Sequence, residues 1–195
     1  LGILPCLKEN FPPEDSLDLL DRKSTNRNPE IEVGIIKFPS ISNFSDLDPL
    51  DNEEGIKLNW ISISQDFHKF DLIILPGSKQ TIKDITFLKE SNLIKCIIEY
   101  SMKNGNIFGI CGGLQMLGEY LEDPHSKEGL ESFDKQSTKG IGLLPLKTIF
   151  QKTKTTGRII CDATWPCSTK IEGFEIHYGV TEIIKKEGEE KLKNI

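Results

Sequence analysis

A cysteine set among glycines, Gly109-Ile110-Cys111-Gly112-Gly113-Leu114-Gln115, constrains this chain more than any other stretch. Ahead of it, Asn106-Ile107-Phe108-Gly109-Ile110 is short, mostly apolar and rich in strand formers. Behind it, Leu114, Leu117 and Leu121 recur at helical spacing. A strand that bends at once into a helix, with a reactive side chain at the bend, needs neighbours without a Cβ, because the bend is strained and the reactive group must stay accessible. Gly109, Gly112 and Gly113 supply them. A sulfur at the first turn of a helix faces unpaired backbone N–H groups and the positive end of the helix dipole. Both favour the thiolate, the form a nucleophilic cysteine requires. Cys111 is therefore expected to be an activated nucleophile on an elbow.

The rest of the pattern gives that elbow a setting. Ile31-Glu32-Val33-Gly34-Ile35-Ile36 and Phe70-Asp71-Leu72-Ile73-Ile74-Leu75 are continuous apolar strands of the kind found inside parallel sheets covered on both faces. Between them, residues 55–61 alternate like a half-exposed strand. From Thr81 to Lys103 the apolar positions Ile82, Ile85, Leu88, Leu93, Ile97 and Ile98 predict helix, broken near Ser91-Asn92 and closed by Gly105. Strands alternating with helices define an α/β fold with a mostly parallel sheet. The last third is strand-rich: residues 140–145 resemble a turn into a strand, and residues 147–151 and 171–177 are β-like. Residues 7–30 are polar and proline-bearing, a connector with one short helix over residues 16–21, which places a domain boundary near residues 28–30.

Composition removes several functions. A formal net charge of −6 argues against wholesale nucleic-acid binding, and no apolar run reaches the length that crosses a bilayer. Cys6, Cys96, Cys111, Cys161 and Cys167 are odd in number and form no CxxC pair, so neither a disulfide framework nor a zinc site is expected, and the chain reads as cytoplasmic. It opens on an apolar Leu1-Gly2-Ile3-Leu4-Pro5, like a strand under way, and closes in a charged run over residues 185–194; both ends read as interior to a longer protein.

In an open parallel sheet, ligands bind where strands end and loops meet. The turn Pro76-Gly77-Ser78 and the elbow at Cys111 each follow a buried-looking strand, so adjacent strands would set them at one edge. One backbone N–H from the Gly77 loop and one from Gly112 would then share a target, an oxyanion hole in outline.

These residues resemble the class I glutamine amidotransferases, whose elbow reads Gly-x-Cys-x-Gly-x-Gln, here Gly109, Cys111, Gly113 and Gln115. The cobyric acid synthase type is the nearer resemblance. It is carried by Pro13-Glu14-Asp15-Ser16-Leu17, Leu75-Pro76-Gly77-Ser78-Lys79, Lys154-Thr155-Thr156, Gly173-Phe174-Glu175-Ile176-His177-Tyr178-Gly179 and above all by Ser42-Asn43-Phe44-Ser45-Asp46. The resemblance implies a flavodoxin-like sheet flanked by helices and a glutamine substrate. In it Cys111 forms a glutamyl thioester and releases ammonia, Gly77 and Gly112 hold the oxyanion, and Gln115 helps hold the substrate. It further implies a synthetase domain that uses ATP and Mg to activate carboxylates of a corrinoid. Residues 1–29 would be the end of that domain and its linker, and residues 30–195 the amidotransferase domain, short of its C-terminus. No cofactor is expected in this chain.

The proton-shuttling base is the open point. The chain has three histidines, His68, His125 and His177. The resemblance places the catalytic imidazole in a segment following the Glu-Ile-His element, and nothing like it occurs before Ile195; His177 is the local substitute. Competing readings are an amidotransferase for another acceptor such as a cell-wall precursor, a non-catalytic binding or regulatory module, and a cysteine-elbow hydrolase or chaperone.

Overall fold

Four short segments pair in parallel to build the sheet that carries the elbow. In the computed structural model, which describes residues 29–128, 137–164 and 166–185, these are β1 (Ile31–Ile36), β2 (Ile56–Ile61), β3 (Leu72–Leu75) and β4 (Asn106–Gly109), in the order β2-β1-β3-β4. β1 and β3 are the continuous apolar runs of the sequence and take the middle, where Ile35, Ile36, Ile73, Ile74 and Leu75 are fully buried. β2, whose residues alternate, is half-buried along most of its length at the edge. The connector and short helix expected within residues 7–30 lie almost wholly outside the described residues.

After β1 the chain makes a turn of 3₁₀ helix over Phe44–Leu47 and the single-turn α1 (Asp48–Asp51), with Pro49 in its first turn, where the missing N–H costs nothing. The helical stretch after β3 divides where expected, into α2 (Thr81–Glu90) and α3 (Leu93–Met102), with Asn92 in the left-handed region at φ 58°. Ile82, Ile85, Leu88, Leu93 and Ile97 pack against Ile36, Ile73 and Leu75, so the apolar stripe of both helices meets one face of the sheet. The close of α3 differs from expectation. Asn104, not Gly105, takes the left-handed conformation, at φ 59°. Gly105 is needed for another reason: the Tyr100 ring occupies the space where its Cβ would stand.

β4 leads into α4 (Gly112–Leu117), shorter than the leucine spacing predicts. The N–H groups of Ile141, Gly142, Leu143 and Leu144 bond the carbonyls of Met116, Gly118, Leu117 and Leu117, so the orphan acceptors at the helix end are taken from outside. Leu121 therefore falls in β5 (Tyr120–Glu122), not on the helix. β5 belongs to a second sheet with β6 (Ser137–Lys139), β7 (Leu146–Ala163) and β8 (Thr169–Ile183), ordered β6-β5-β7-β8. β7 and β8 form one long antiparallel hairpin that extends past both predicted strands. Leu146, Thr148 and Phe150 alternate into the core, whereas the hairpin beyond Phe150 is largely solvent-exposed. No described helix is long and apolar enough to cross a membrane.

Candidate active site

The elbow forms where β4 ends. Leu75 pairs with Gly109, and the Ile110 N–H continues the ladder to the Leu75 carbonyl at 2.9 Å, so the chain leaves β3 and β4 side by side. That places Pro76-Gly77-Ser78 against Ile110-Cys111-Gly112, at the same edge of the sheet. Cys111 stands at φ 49°, ψ −111°, a conformation that non-glycine residues rarely adopt and that persists only where the surroundings enforce it. Enforcement is visible at Gly113, where a Cβ would run into the Leu75 carbonyl and stand 2.8 Å from the Pro76 oxygen. Cys111 itself is exposed.

The loop after β3 is fastened on both sides. The Ser42 N–H donates to the Gly77 carbonyl at 2.9 Å and the Lys79 N–H to the Ser40 carbonyl at 2.8 Å, bridging Ile41 and Ser78 in antiparallel fashion. This zips the loop after β1 to the loop after β3 and gives the Ser42-Asn43 segment a place directly over Gly77. A Cβ on Gly77 would lie 2.9 Å from Ser42 Oγ and 4.0 Å from the Cys111 Cβ.

Because a trans peptide points its C=O and N–H in opposite directions, the bond from Ser42 to the Gly77 carbonyl turns the Ser78 N–H away from Ser42. Gly112 is close by: the Ser78 nitrogen is 3.1 Å from where a Gly112 Cβ would stand. Neither the Ser78 nor the Gly112 N–H donates to a protein acceptor among the described residues. Two backbone donors without an acceptor among the described residues thus lie near Cys111. The loop named from the sequence through Gly77 thus stands next to Gly112, and its Gly77–Ser78 peptide carries the Ser78 N–H.

Two buried carboxylates brace this arrangement. Asp84, fully buried on α2, accepts from Ser78 Oγ at 2.6 Å and from the Ser40 N–H at 3.2 Å. Burial raises its pKa above the ordinary carboxylate range, and the bonds from Ser78 and Ser40 oppose that rise. Glu128 accepts from the Thr81 N–H at 2.5 Å, at the start of α2; its pKa too is raised by burial, against the pull of the Thr81 bond. Among the described residues no three His, Cys, Asp or Glu side chains converge to hold a metal ion.

Gln115 projects from α4 toward β8, where a Cβ on Gly179 would fall 2.6 Å from its Nε2, so a side chain at residue 179 would displace it. His177 lies two residues earlier on the same face of β8 and so on the Gln115 side of the strand. Its Nδ1 is 2.9 Å from the Gly179 carbonyl and its Nε2 is 3.6 Å from Glu175 Oε2. Neither ring nitrogen bonds Cys111, whose Sγ has no hydrogen-bond partner among the described residues. His68 bonds Lys103 Nζ through Nε2, and His125 lies in an exposed turn. His177→Ala is accordingly expected to lower the rate of a reaction initiated by Cys111 by less than about tenfold in a steady-state assay, whereas loss of a general base costs about 10²–10⁴. A loss in that larger range would make His177 the base.

Residues 32–194 match the family described as CobB/CobQ-like glutamine amidotransferase domain. A cobyric acid synthase of Prochlorococcus marinus strain MIT 9515 is 65% identical over 183 residues, covering 94% of this chain and 36% of that protein. Its counterpart in strain AS9601 is 60% identical over the whole chain and 38% of its own length. The chain thus spans a little over a third of the length of these relatives. Among solved structures, a glutamine amidotransferase superposes with a TM-score of 0.56 at 16% identity, over 79% of this chain and 75% of that one. PurLQS from Thermotoga maritima gives 0.51 at 12% identity, over 77% and 68%. At such identities the likeness is one of fold.

Proposed function

The chain belongs to the CobB/CobQ-like glutamine amidotransferase domain family, and from that premise we propose that it hydrolyses glutamine through Cys111 and supplies the ammonia to an ATP-dependent synthetase. The observation that carries this reading is the enforced elbow: an exposed cysteine at φ 49°, ψ −111°, beside two N–H donors that have no acceptor among the described residues. In the proposed reaction the Cys111 thiolate attacks the side-chain amide carbon of glutamine. The developing oxyanion takes hydrogen bonds from the Gly112 N–H and from the Gly77–Ser78 peptide. The C–N bond then breaks, the nitrogen takes up a proton and leaves as ammonia, and a glutamyl thioester remains. Water adds to the thioester, releasing glutamate and restoring the thiolate. Gln115, which reaches from α4 toward Gly179 of β8, is assigned to holding the substrate.

The relatives' name, cobyric acid synthase, supports the destination of the ammonia: carboxylates of a corrin ring, activated in the synthetase part with ATP and Mg and converted there to amides. Glutamine would enter at the elbow and the corrinoid elsewhere, so neither ATP nor metal is assigned to this chain's residues, and the reaction as a whole is placed in the cytoplasm.

The test is covalent trapping. Diazo-oxonorleucine, a glutamine-like electrophile, is expected to add once to the full-length protein, with the mass located at Cys111 by peptide mass spectrometry and lost in Cys111→Ala. Absence of that adduct would remove the amidotransferase reading and leave a binding module with a retained elbow.

A further inference from the structure

We propose that Asp84 is a positioning residue for glutamine hydrolysis: its carboxylate clasps the loops that follow β1 and β3, so that the Gly77–Ser78 peptide keeps its N–H turned toward Cys111. This rests on the reading of Cys111 as the glutaminase nucleophile and adds to it a residue that touches neither the substrate nor the sulfur.

A carboxylate in the first turns of a helix is ordinarily favoured by the helix dipole and needs no burial for that. Asp84 is fully buried all the same, at a cost that an exposed cap would avoid. Its bonds explain what is gained. One oxygen accepts from Ser78 Oγ at 2.6 Å, within the loop that carries the oxyanion donor; the other accepts from the Ser40 N–H at 3.2 Å, in a loop 44 residues away in sequence. A cap serves its own helix, whereas this group joins two separate loops. Ser78 Oγ in turn accepts from the Gln80 N–H at 3.0 Å, so the serine is pinned through its side chain on two sides. With Ser40 fixed, its carbonyl receives Lys79 N–H, and two residues on, the Ser42 N–H meets the Gly77 carbonyl. Each of these bonds limits rotation of the 77–78 peptide, and rotation by half a turn would aim a carbonyl oxygen, not a donor, at the developing oxyanion. Glu128 holds the far end of the same loop through Thr81, but reaches neither Ser78 nor Ser40.

Asp84→Asn keeps the shape but not the symmetric pair of acceptors; Ser78→Ala removes the hydroxyl and leaves the helix contact surface intact. In the full-length protein each is expected to lower kcat for glutamine hydrolysis by about tenfold to a hundredfold, less than or equal to the effect of deleting an oxyanion donor. KM for glutamine should stay within about threefold, since the ground-state amide makes little use of the hole. Alkylation of Cys111 by iodoacetamide, which builds no oxyanion, should proceed at the wild-type rate in both variants. Because the two residues share the Ser78–Asp84 hydrogen bond, the double variant should lose less than the product of the two single losses. Unchanged kcat in Ser78→Ala, or a fall in alkylation rate parallel to the fall in kcat, would overturn the proposal and reduce Asp84 to a structural cap. If Asp84→Asn fails to fold, Ser78→Ala decides alone. A wild-type protein that neither hydrolyses glutamine nor takes the diazo-oxonorleucine adduct would instead defeat the glutaminase reading, and this inference with it.

Discussion

Full-length protein carrying Cys111→Ala is expected to lose glutamine-dependent amide formation by on the order of 10⁴ or more in kcat, the scale on which removal of a covalent nucleophile acts. With ammonium salts in place of glutamine it should form amides within about twofold of the wild-type rate, because free ammonia bypasses the thioester step. The two halves of this result carry different weight. The loss with glutamine follows from the sulfur being an exposed nucleophile at an enforced bend, with backbone donors close by. The retention with ammonium depends on the proposed division of labour, in which carboxylate activation lies elsewhere. Substitution at Cys111 is structurally mild, since the residue is exposed and alanine accepts whatever backbone cysteine does. A global loss of folding would therefore be unexpected, and circular dichroism would exclude it. Measurable glutamine hydrolysis in the variant would mean that another group attacks the amide; loss of activity with both nitrogen sources would mean that the elbow serves the synthetase reaction directly.

Much of this site was legible in the chain because its determinants are local. Glycines flank Cys111 within two residues, the strand before Pro76-Gly77-Ser78 announces itself by the apolar run Leu72-Ile73-Ile74-Leu75, and the strand before the elbow by a short, mostly apolar segment of strand formers. Their adjacency followed from the parallel-sheet reading and is seen in the pairing of Leu75 with Gly109. What was not legible depends on distant chain. α4 stops at Leu117 because residues 141–144 take its last carbonyls, and nothing near Leu117 says so. Ser78 is a donor because Ser42, 36 positions earlier, fixes the orientation of a peptide, which residue identities alone do not reveal. Asp84 did leave a trace: it stands three residues after Thr81 and four before Leu88, so a carboxylate was written into a buried face. Glu128 left none, since it reaches Thr81 from a turn far along the chain.

The geometry of the bend makes a second large effect predictable, this time on stability. Gly113→Ala is expected to destabilise the fold by more than about 3 kcal/mol or to prevent folding, at the upper end of what a single methyl does. The added Cβ would meet the Leu75 carbonyl head-on and stand 2.5 Å from the Leu75 carbonyl carbon and 2.8 Å from the Pro76 oxygen, all of them backbone. Relief by side-chain rotation is impossible. The Leu75 carbonyl already accepts the Ile110 N–H at 2.9 Å, so moving it would open the junction of β3 and β4. Gly77→Ala provides the contrast within the same site, because its Cβ would meet Ser42 Oγ at 2.9 Å, the tip of a side chain that can turn aside. That variant should fold with a stability loss of about 1 kcal/mol or less while hydrolysing glutamine poorly, since the new methyl would stand 4.0 Å from the Cys111 Cβ, in the approach to the sulfur. Urea denaturation of the two variants separates the effects. A Gly113→Ala protein as stable as wild type would show that β3 and β4 can part at the elbow without cost, and the strain that holds Cys111 in place would then need another source.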